Sequence, residues 1–134
     1  NIVHNETSGL RPATKEGMGS AGDLHSAKVA VAHVVQNRDA AGVKGGVASD
    51  KVRSTETKTP QYKDAQQAAS EAASSPDNTG GSKNFYLDFG QRAPYWAQGK
   101  VTTTFGPFKN SAGGGDVPRG TQVKIVIVHP EEKK

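Results

Sequence analysis

The first residue whose setting suggests chemistry is a glutamate, Glu6, in the stretch HNETSGLRP. Gly9 and Pro12 follow it closely, so we expect a helix to end here, shortly before the strongly apolar segment AVAHVV. A carboxylic acid at a helix end beside a buried helix suits a general acid, which must hold a proton next to the bond that breaks. The same position also suits a solvated surface residue, because glutamate side chains are mostly exposed.

Other kinds of site have less support. The four histidines, His4, His25, His33 and His129, contain no i, i+4 pair, so we expect no metal site and no cofactor. There is no cysteine, and no G-x-S-x-G motif follows a strand pattern. The glycine-rich stretches 45–51 and 78–83 lack the spacing of a phosphate-binding loop. Carboxylate chemistry is therefore the best-supported class.

Composition indicates one loop-rich domain. The chain has 134 residues, of which 33% are hydrophobic, with 16 glycines and 7 prolines, so we expect a single domain over residues 1–134. Its net charge of +4 favours an anionic partner such as a cell-wall polymer, acidic lipid or nucleic acid. The lysines and arginines are scattered, however, and no stretch is long and apolar enough to span a membrane. We therefore expect neither nucleic-acid binding nor membrane insertion.

The order of the elements predicts an α+β fold. We expect a short helix over residues 1–8, a helix from Leu24 to Arg38 with Asp23 as its N-cap, and a helix from Thr59-Pro60 to Pro76. Strand patterns follow at 84–89, 101–105 and 121–129, and the first of them places Phe85, Leu87 and Phe89 on one side. Helices first and a small C-terminal β region last is an α+β pattern.

Three segments in order resemble the spore-cortex-lytic-enzyme type of cell-wall hydrolase. HNETSGLRP with AVAHVVQNR resembles the family's catalytic glutamate followed by its A-V-A-x-V-V-x-N-R helix. DNTGGSKNFY resembles its D-P-T-x-G-A-x-x-F/Y segment, and PYWAQGKVTTTFG resembles its P-x-W-A-x-G-K stretch. The resemblance spans residues 1 to about 110. It implies a mainly helical, lysozyme-like fold and cleavage of the peptidoglycan glycan strand by hydrolysis or lytic transglycosylation.

The resemblance also implies roles for residues. Glu6 matches the catalytic glutamate, and Asp77 is a candidate second carboxylate, although an aspartate opening such a turn commonly bonds its own backbone. Glu16 and Asp50 are the other candidate partners. Asn37 and Thr79 lie in matched motifs, Ser82, Lys83 and Asn84 are placed to contact acetamido or lactyl groups, and Tyr86 and Trp96 suit sugar rings. Trp96 equally suits a core position.

The sequence departs from the family pattern at several positions. The connection that contains residues 13–23 is longer by about a dozen residues, a size typical of a functional loop. Leu10 replaces a second glutamate, Asn78 replaces the proline of the turn, and the histidine of the closing G-x-H-x-F is missing from the stretch 106–110. The type of bond cleaved and the product therefore stay open.

Two other function classes stay open as well. One is a non-catalytic module that binds cell wall or protein on a degenerate lysozyme-like scaffold. The other, less supported because the basic residues are scattered, is a basic domain that binds DNA with steep salt dependence. A cell-wall enzyme would act in the wall or periplasm, and the chain, which begins at Asn1, is expected to be a processed or excised piece without its export signal. An antibacterial effector with a cognate inhibitor or immunity protein is one such case.

Overall fold

The computed structural model describes residues 1–7, 9–12, 19–43, 54–110 and 120–132. Helices α1 (Ile2–Thr7), α2 (Ala21–Ala40) and α3 (Pro60–Ser74) combine with strands β1 (Leu10–Arg11), β2 (Asn84–Asp88), β3 (Lys100–Asn110) and β4 (Gln122–Glu132). Short 3₁₀ turns occupy Glu56–Lys58 and Tyr95–Ala97. The fold is α+β, with helices and an antiparallel sheet. None of the described helices is long and apolar enough to cross a membrane.

Helix α2 begins earlier than its sequence pattern predicts. Ser20, not Asp23, is the N-cap: its hydroxyl accepts from the backbone N–H of Asp23, and the Asp23 carboxylate accepts from the backbone N–H of Ser20. This reciprocal pair is a capping box, in which the acidic residue occupies the third helical position and not the cap itself. The extra turn places His25 and Lys28 well inside the helix.

Helix α3 begins as its sequence predicts. Thr59 is the N-cap, its hydroxyl accepts from the backbone N–H of Tyr62, and Pro60 occupies the first turn. The helix ends at Ser74, two residues before Pro76. The helix packs on α2 and α1, and its buried residues recur at helical spacing: Tyr62, Ala65, Ala68 and Ala72. The small alanine side chains let the two helices approach closely.

The four strands form one antiparallel sheet in the order β1-β3-β4-β2. The sheet is more than a C-terminal feature, because β1 pairs with the end of β3, with Leu10 opposite Asn110. No strand was expected at β1, since two residues carry no alternation and the pairing rests on backbone hydrogen bonds. Strand β3 also extends beyond 101–105, because β4 pairs with it from Lys100 to Lys109, with two shifts of register.

Alternation along the strands gives the sheet two different faces. On one, which we call the helix-side face, Phe85, Leu87, Phe105, Ile125 and Ile127 pack into a core shared with all three helices. On the other, the far face, Tyr86 packs with Val126, Val128 and Ala97 of the segment that precedes β3. Because α1 packs against α2 and α3, Glu6 belongs to the helical side of the sheet.

Candidate functional site

Two of the segments that carry the family resemblance interlock at the end of α2. The Asn37 amide donates to Asp77 Oδ2 at 3.0 Å, to Thr79 Oγ1 at 3.4 Å and to the Ser82 carbonyl at 3.0 Å. The next residue, Arg38, donates to the Lys83 carbonyl at 2.8 Å. The N-R pair of the helix therefore holds the whole D-x-T-G-G turn, which leads directly into β2.

The Asp77 carboxylate is occupied by this turn. It accepts from the backbone N–H and hydroxyl of Thr79, from the Asn37 amide and from the backbone N–H of Gly81. Partial burial alone would raise the pKa of Asp77, but these hydrogen bonds outweigh it and lower the pKa to about 2. A carboxylate with this pKa is a weak base and carries no proton to donate near neutral pH.

Thr79 and Ser82 are buried within the same structure. Thr79 is 2% exposed and Ser82 is 0% exposed. The Ser82 hydroxyl donates to the carbonyl of Val128 and thereby fastens the turn to β4. Both side chains shape the turn in this structure, and the substrate contacts expected of them stay a prediction.

His129 joins this turn to the sheet. Its Nδ1 lies 2.7 Å from the Thr79 carbonyl and its Nε2 lies 2.7 Å from Thr103 Oγ1. With Nδ1 donating to the carbonyl, Nε2 can accept from the threonine hydroxyl. His129 thus bridges three segments, a role that its sequence position at the end of a strand pattern did not indicate.

Tyr86 and Trp96 meet on the far face. Their rings lie edge to face, with centroids 6.0 Å apart and planes at 86°, and Trp96 remains 37% exposed. Burial and the nearby Asp88 carboxylate raise the pKa of the Tyr86 phenol. Trp96 also lines a cleft of about 250 Å³, which we call the far-face cleft. Its walls are Gly81, Lys83, Asn84, Trp96, Lys100, Val128, His129 and Pro130.

Glu6 lies in the last turn of α1, and its side chain is half-buried. The neighbouring Val3, Thr7 and Leu10 are buried in the helical side of the molecule. Glu6 does not line the far-face cleft, nor a cleft bounded by Leu10, Lys28 and Asp64, nor one bounded by Ala30, Thr79 and Phe105. Its candidate partners Glu16 and Asp50 fall outside the described residues.

The seven residues predicted for the site fall into three groups. Asn37, Asp77, Thr79 and Ser82 build the turn, Tyr86 and Trp96 occupy the far face, and Glu6 lies on the helical side. The far-face cleft also has lining residues for which the sequence predicted no role in the site: Lys100, Val128, His129 and Pro130. The one sequence feature that indicated the far face is the alternation of β2, which places Tyr86 on the side of the strand opposite to Phe85 and Leu87.

A second polar cluster joins α2 to α3. The His25 ring lies 2.6 Å from Asp64 Oδ1 through Nδ1 and 2.9 Å from Glu71 Oε2 through Nε2. The Lys28 ammonium, 2% exposed, donates to Asp64 at 2.9 Å. Burial alone would lower the pKa of His25, but the two carboxylates outweigh it and raise that pKa. Across the described ranges, no three His, Asp or Glu side chains are arranged to hold a metal ion.

Comparison of the chain with protein-family models, with curated proteins and with solved structures gives no match.

Proposed function

We propose that this protein cleaves the glycan strand of peptidoglycan on a lysozyme-like scaffold, with Glu6 as general acid and then general base. The observation that carries the proposal is the contact between two separate segments of the family pattern. Asn37 and Arg38 at the end of α2 hold the turn that begins at Asp77, some 40 residues away in the chain. Chance matches to unrelated segments would have no reason to meet in this way.

The state of Asp77 supports a mechanism that uses one carboxylate. Hydrolysis with inversion requires a second carboxylate, about 6.5–9.5 Å from the acid, to activate water. Asp77 accepts four hydrogen bonds within its own turn and has a pKa of about 2, so it is poorly suited to remove a proton from water. Lytic transglycosylation needs only the glutamate.

The proposed reaction balances with Glu6 alone. The protonated Glu6 carboxyl gives its proton to the glycosidic oxygen, and the bond from that oxygen to the anomeric carbon of the muramic residue breaks. The 6-hydroxyl of the same muramic residue then bonds to the anomeric carbon and returns a proton to the Glu6 carboxylate. The products are a free hydroxyl on the leaving sugar and a 1,6-anhydromuramic end. The proposal places this activity in the cell wall or periplasm, where an antibacterial role would bring a cognate inhibitor.

Digestion of purified peptidoglycan tests the proposal. We expect Glu6→Gln to lower turnover by at least about 100-fold, because a general acid contributes about 10²–10⁴-fold. Glu131→Gln, which removes the same charge from an exposed position on β4, is the matched control and should leave turnover unchanged. Mass spectrometry of the products should find anhydromuramic ends. Equal turnover by wild type and Glu6→Gln would refute the assignment.

The far-face cleft favours a second candidate, a module that binds wall polymer without cleaving it. Tyr86 and Trp96 lie across the sheet from the helices, so their use does not require Glu6. This candidate predicts that the wild type and Glu6→Gln are retained equally by insoluble peptidoglycan, with no soluble fragments released. Product analysis therefore separates the two candidates.

A further inference from the structure

Thr103 and His129 form a hydroxyl–imidazole pair that the proposed glycan cleavage does not use. Thr103 Oγ1 lies 2.7 Å from His129 Nε2, and His129 Nδ1 lies 2.7 Å from the carbonyl oxygen of Thr79. A carbonyl oxygen can only accept, so in the neutral ring Nδ1 carries the proton and Nε2 presents its lone pair to the threonine hydroxyl. A hydroxyl, an imidazole and a group that orients the imidazole are the parts of a nucleophile with its general base.

The register of β3 and β4 places this pair on the helix-side face. Thr103 lies opposite Ile127, and Phe105 follows two residues later on β3. Ile127 and Phe105 pack in the core shared with the helices, so Thr103 and His129, each two residues away on its strand, lie on the same side. Thr103 is nevertheless exposed, and its hydroxyl is therefore open to a reactant.

A small cleft adjoins the Thr103 hydroxyl, and we call it the Thr103 cleft. Its volume is about 80 Å³, the space of two or three water molecules at about 30 Å³ each. Ala30 of α2, Phe105 and Ile127 give it an apolar lining, while Thr103 and His129 lie at its polar side. A space of this size and polarity suits the methyl or ethyl group of a short acyl chain and is too small for a long one.

Asn78 lines the same cleft. Its side chain makes no hydrogen bond among the described residues, so its amide N–H groups are available to a ligand. Asn78 lies between Asp77 and Thr79, and the hydrogen bonds from Thr79 to the Asp77 carboxylate fix the backbone on either side of it. An amide donor held beside a nucleophile can stabilise the negative charge that develops on a carbonyl oxygen under attack.

We propose that Thr103 and His129 form an acyl-transfer site for esters of short carboxylic acids. The Thr103 hydroxyl oxygen bonds to the ester carbonyl carbon, its proton passes to His129 Nε2, and the Asn78 amide donates to the carbonyl oxygen. The bond from that carbon to the alcohol oxygen then breaks, and His129 gives the proton to the departing alcohol. Water next adds to the acyl carbon and gives a proton to His129, which passes it to Thr103 Oγ1 as the carboxylic acid leaves.

Reaction of the full chain with p-nitrophenyl acetate tests the proposal. Release of p-nitrophenolate measures the rate, and mass spectrometry of the peptides locates the acetyl group. We expect acetylation of Thr103 that hydroxylamine reverses, because an acetyl ester of threonine reacts with hydroxylamine while an acetyl amide of lysine resists it. This difference separates the site from direct acetylation of surface lysines.

Three variants assign the roles. Thr103→Val keeps the shape of the side chain and should abolish the hydroxylamine-sensitive acetyl group, whereas Thr103→Ser should retain it. We expect His129→Gln to slow acetylation of Thr103 by at least about 100-fold, because a general base contributes about 10²–10⁴-fold. The matched control is Thr104→Val, an exposed neighbour on the far face opposite Val126, which should react as the wild type does. Circular dichroism verifies that each variant is folded.

The length of the acyl group tests the cleft itself. We expect p-nitrophenyl octanoate to acylate Thr103 at least about tenfold more slowly than the acetate, since a pocket of fixed size excludes the added methylene groups. Equal or faster reaction of the octanoate would overturn the role of the Thr103 cleft.

Two further results would overturn the proposal. One is the absence of a hydroxylamine-sensitive acetyl group on Thr103, and the other is equal release of p-nitrophenolate by the wild type and Thr103→Val. Glu6→Gln should be acetylated at the wild-type rate, because Glu6 does not line this cleft. Failure of the glycan-cleavage proposal would therefore leave this result unchanged.

Discussion

The carboxylate of Asp77 accepts four hydrogen bonds, and these bonds limit its capacity to accept a proton. Its side chain is 29% exposed, yet every strong donor near it belongs to the turn or to Asn37. His33, buried in α2, lies 3.9 Å away through Nδ1. These contacts show that Asp77 organises the turn, and the catalytic role that its place in the family motif suggested stays a prediction.

Replacement of Asp77 by asparagine separates these two roles. Because an amide cannot accept all four bonds, we expect Asp77→Asn to lower the free energy of unfolding near neutral pH by about 1–2 kcal/mol. The pKa of Asp77 is lowered from 3.8 to about 2, so its contribution is present above pH 3.8 and is lost as the pH falls through about 2. The difference in the free energy of unfolding between wild type and variant should therefore decrease as the pH falls from 3.8 to about 2. Denaturant titration at several pH values can measure this decrease. A loss of turnover by 100-fold or more in the folded variant, the scale of a general base, would contradict the structural role.

His4 is a buried histidine whose ring makes no hydrogen bond in the described structure. It is 3% exposed, neither ring nitrogen has a hydrogen-bond partner in the described ranges, and the nearest carboxylate oxygen, on Glu56, is 3.6 Å away. Its ring meets Tyr62 edge to face at 5.2 Å. Buried polar atoms without partners cost stability, because their hydration is lost without replacement.

We therefore expect His4→Phe to raise the free energy of unfolding by about 1 kcal/mol, since phenylalanine keeps the ring contact and removes both nitrogens. Thermal and denaturant unfolding would measure the change. His4→Ala, which also removes the ring, should be destabilising and is the control. A stability loss in His4→Phe would mean that the interaction with Glu56 matters more than the desolvated nitrogens.

At the scale of elements, helices α2 and α3 are joined by a cluster of charged side chains within an interface that consists mostly of alanine. His25 and Lys28 project from α2, and Asp64 and Glu71 project from α3. Arg11 of β1 lines the adjoining cleft together with Lys28 and Asp64. Lys28 can be buried because Asp64 pairs with it, whereas an unpaired buried cation would be strongly destabilising.

The His25 contact predicts how stability changes with pH. The pKa of His25 is raised above 6.5, so its stabilising contribution is complete below pH 6.5 and is lost as the pH rises through the folded-state pKa. The pKa of Asp64 is lowered from 3.8, so its contribution is present above 3.8 and is lost in acid. The contact should therefore stabilise most between these limits.

Comparison of wild type with His25→Gln tests this dependence. We expect the variant to be less stable by about 1 kcal/mol near pH 6, a modest value because the partners are partly exposed. This difference in stability should diminish as the pH rises through the folded-state pKa of His25. Urea unfolding at a series of pH values measures both quantities. A difference in the free energy of unfolding that stays constant across the pH series would show that the charge of His25 does not contribute to stability. The control is Ser26→Ala, on the exposed side of α2.

At the scale of the whole molecule, one buried cluster connects the helices to the sheet. It includes Val3 of α1, Leu10 of β1, Ala65 of α3, Phe108 of β3 and Ile125 of β4, together with most of the apolar residues of α2. Among the described residues, a second and smaller cluster lies outside it on the far face. A continuous core of this kind favours cooperative unfolding as one unit.

We expect far-ultraviolet circular dichroism, which reports the helices, and Trp96 fluorescence, which reports the far face, to give the same unfolding midpoint. Both signals can be followed in one denaturant titration, and coincident transitions would support a single domain. An earlier transition in Trp96 fluorescence would instead show that the segment covering the far face melts separately from the helical core.

Local chemistry in the sequence determined where several elements begin, end and alternate. Thr59 and Pro60 start α3 because the threonine hydroxyl accepts from a free backbone N–H of the first turn and proline has the backbone angle of a helix. The run at 121–129 forms a strand because its β-branched side chains pack well on a pleated sheet. The alternation of Phe85, Leu87 and Phe89 was also readable, and all three pack in the helix-side core. The α+β class followed from the order of these elements.

Tertiary structure alone decided which side chains share a site. β1 has too few residues for a pattern and exists because β3 offers it backbone partners, and the contact of His25 with Asp64 and Glu71 joins helices that no local spacing relates. Asn37, Asp77 and Trp96 could be named from their motifs, yet motif order carries no information about which face of a sheet each residue occupies. Neighbouring residues of a strand point to opposite faces of the sheet, and only the packing against each face decides which of them meets the helices. This packing places Tyr86 and Trp96 on the far face, away from the helical side that contains Glu6.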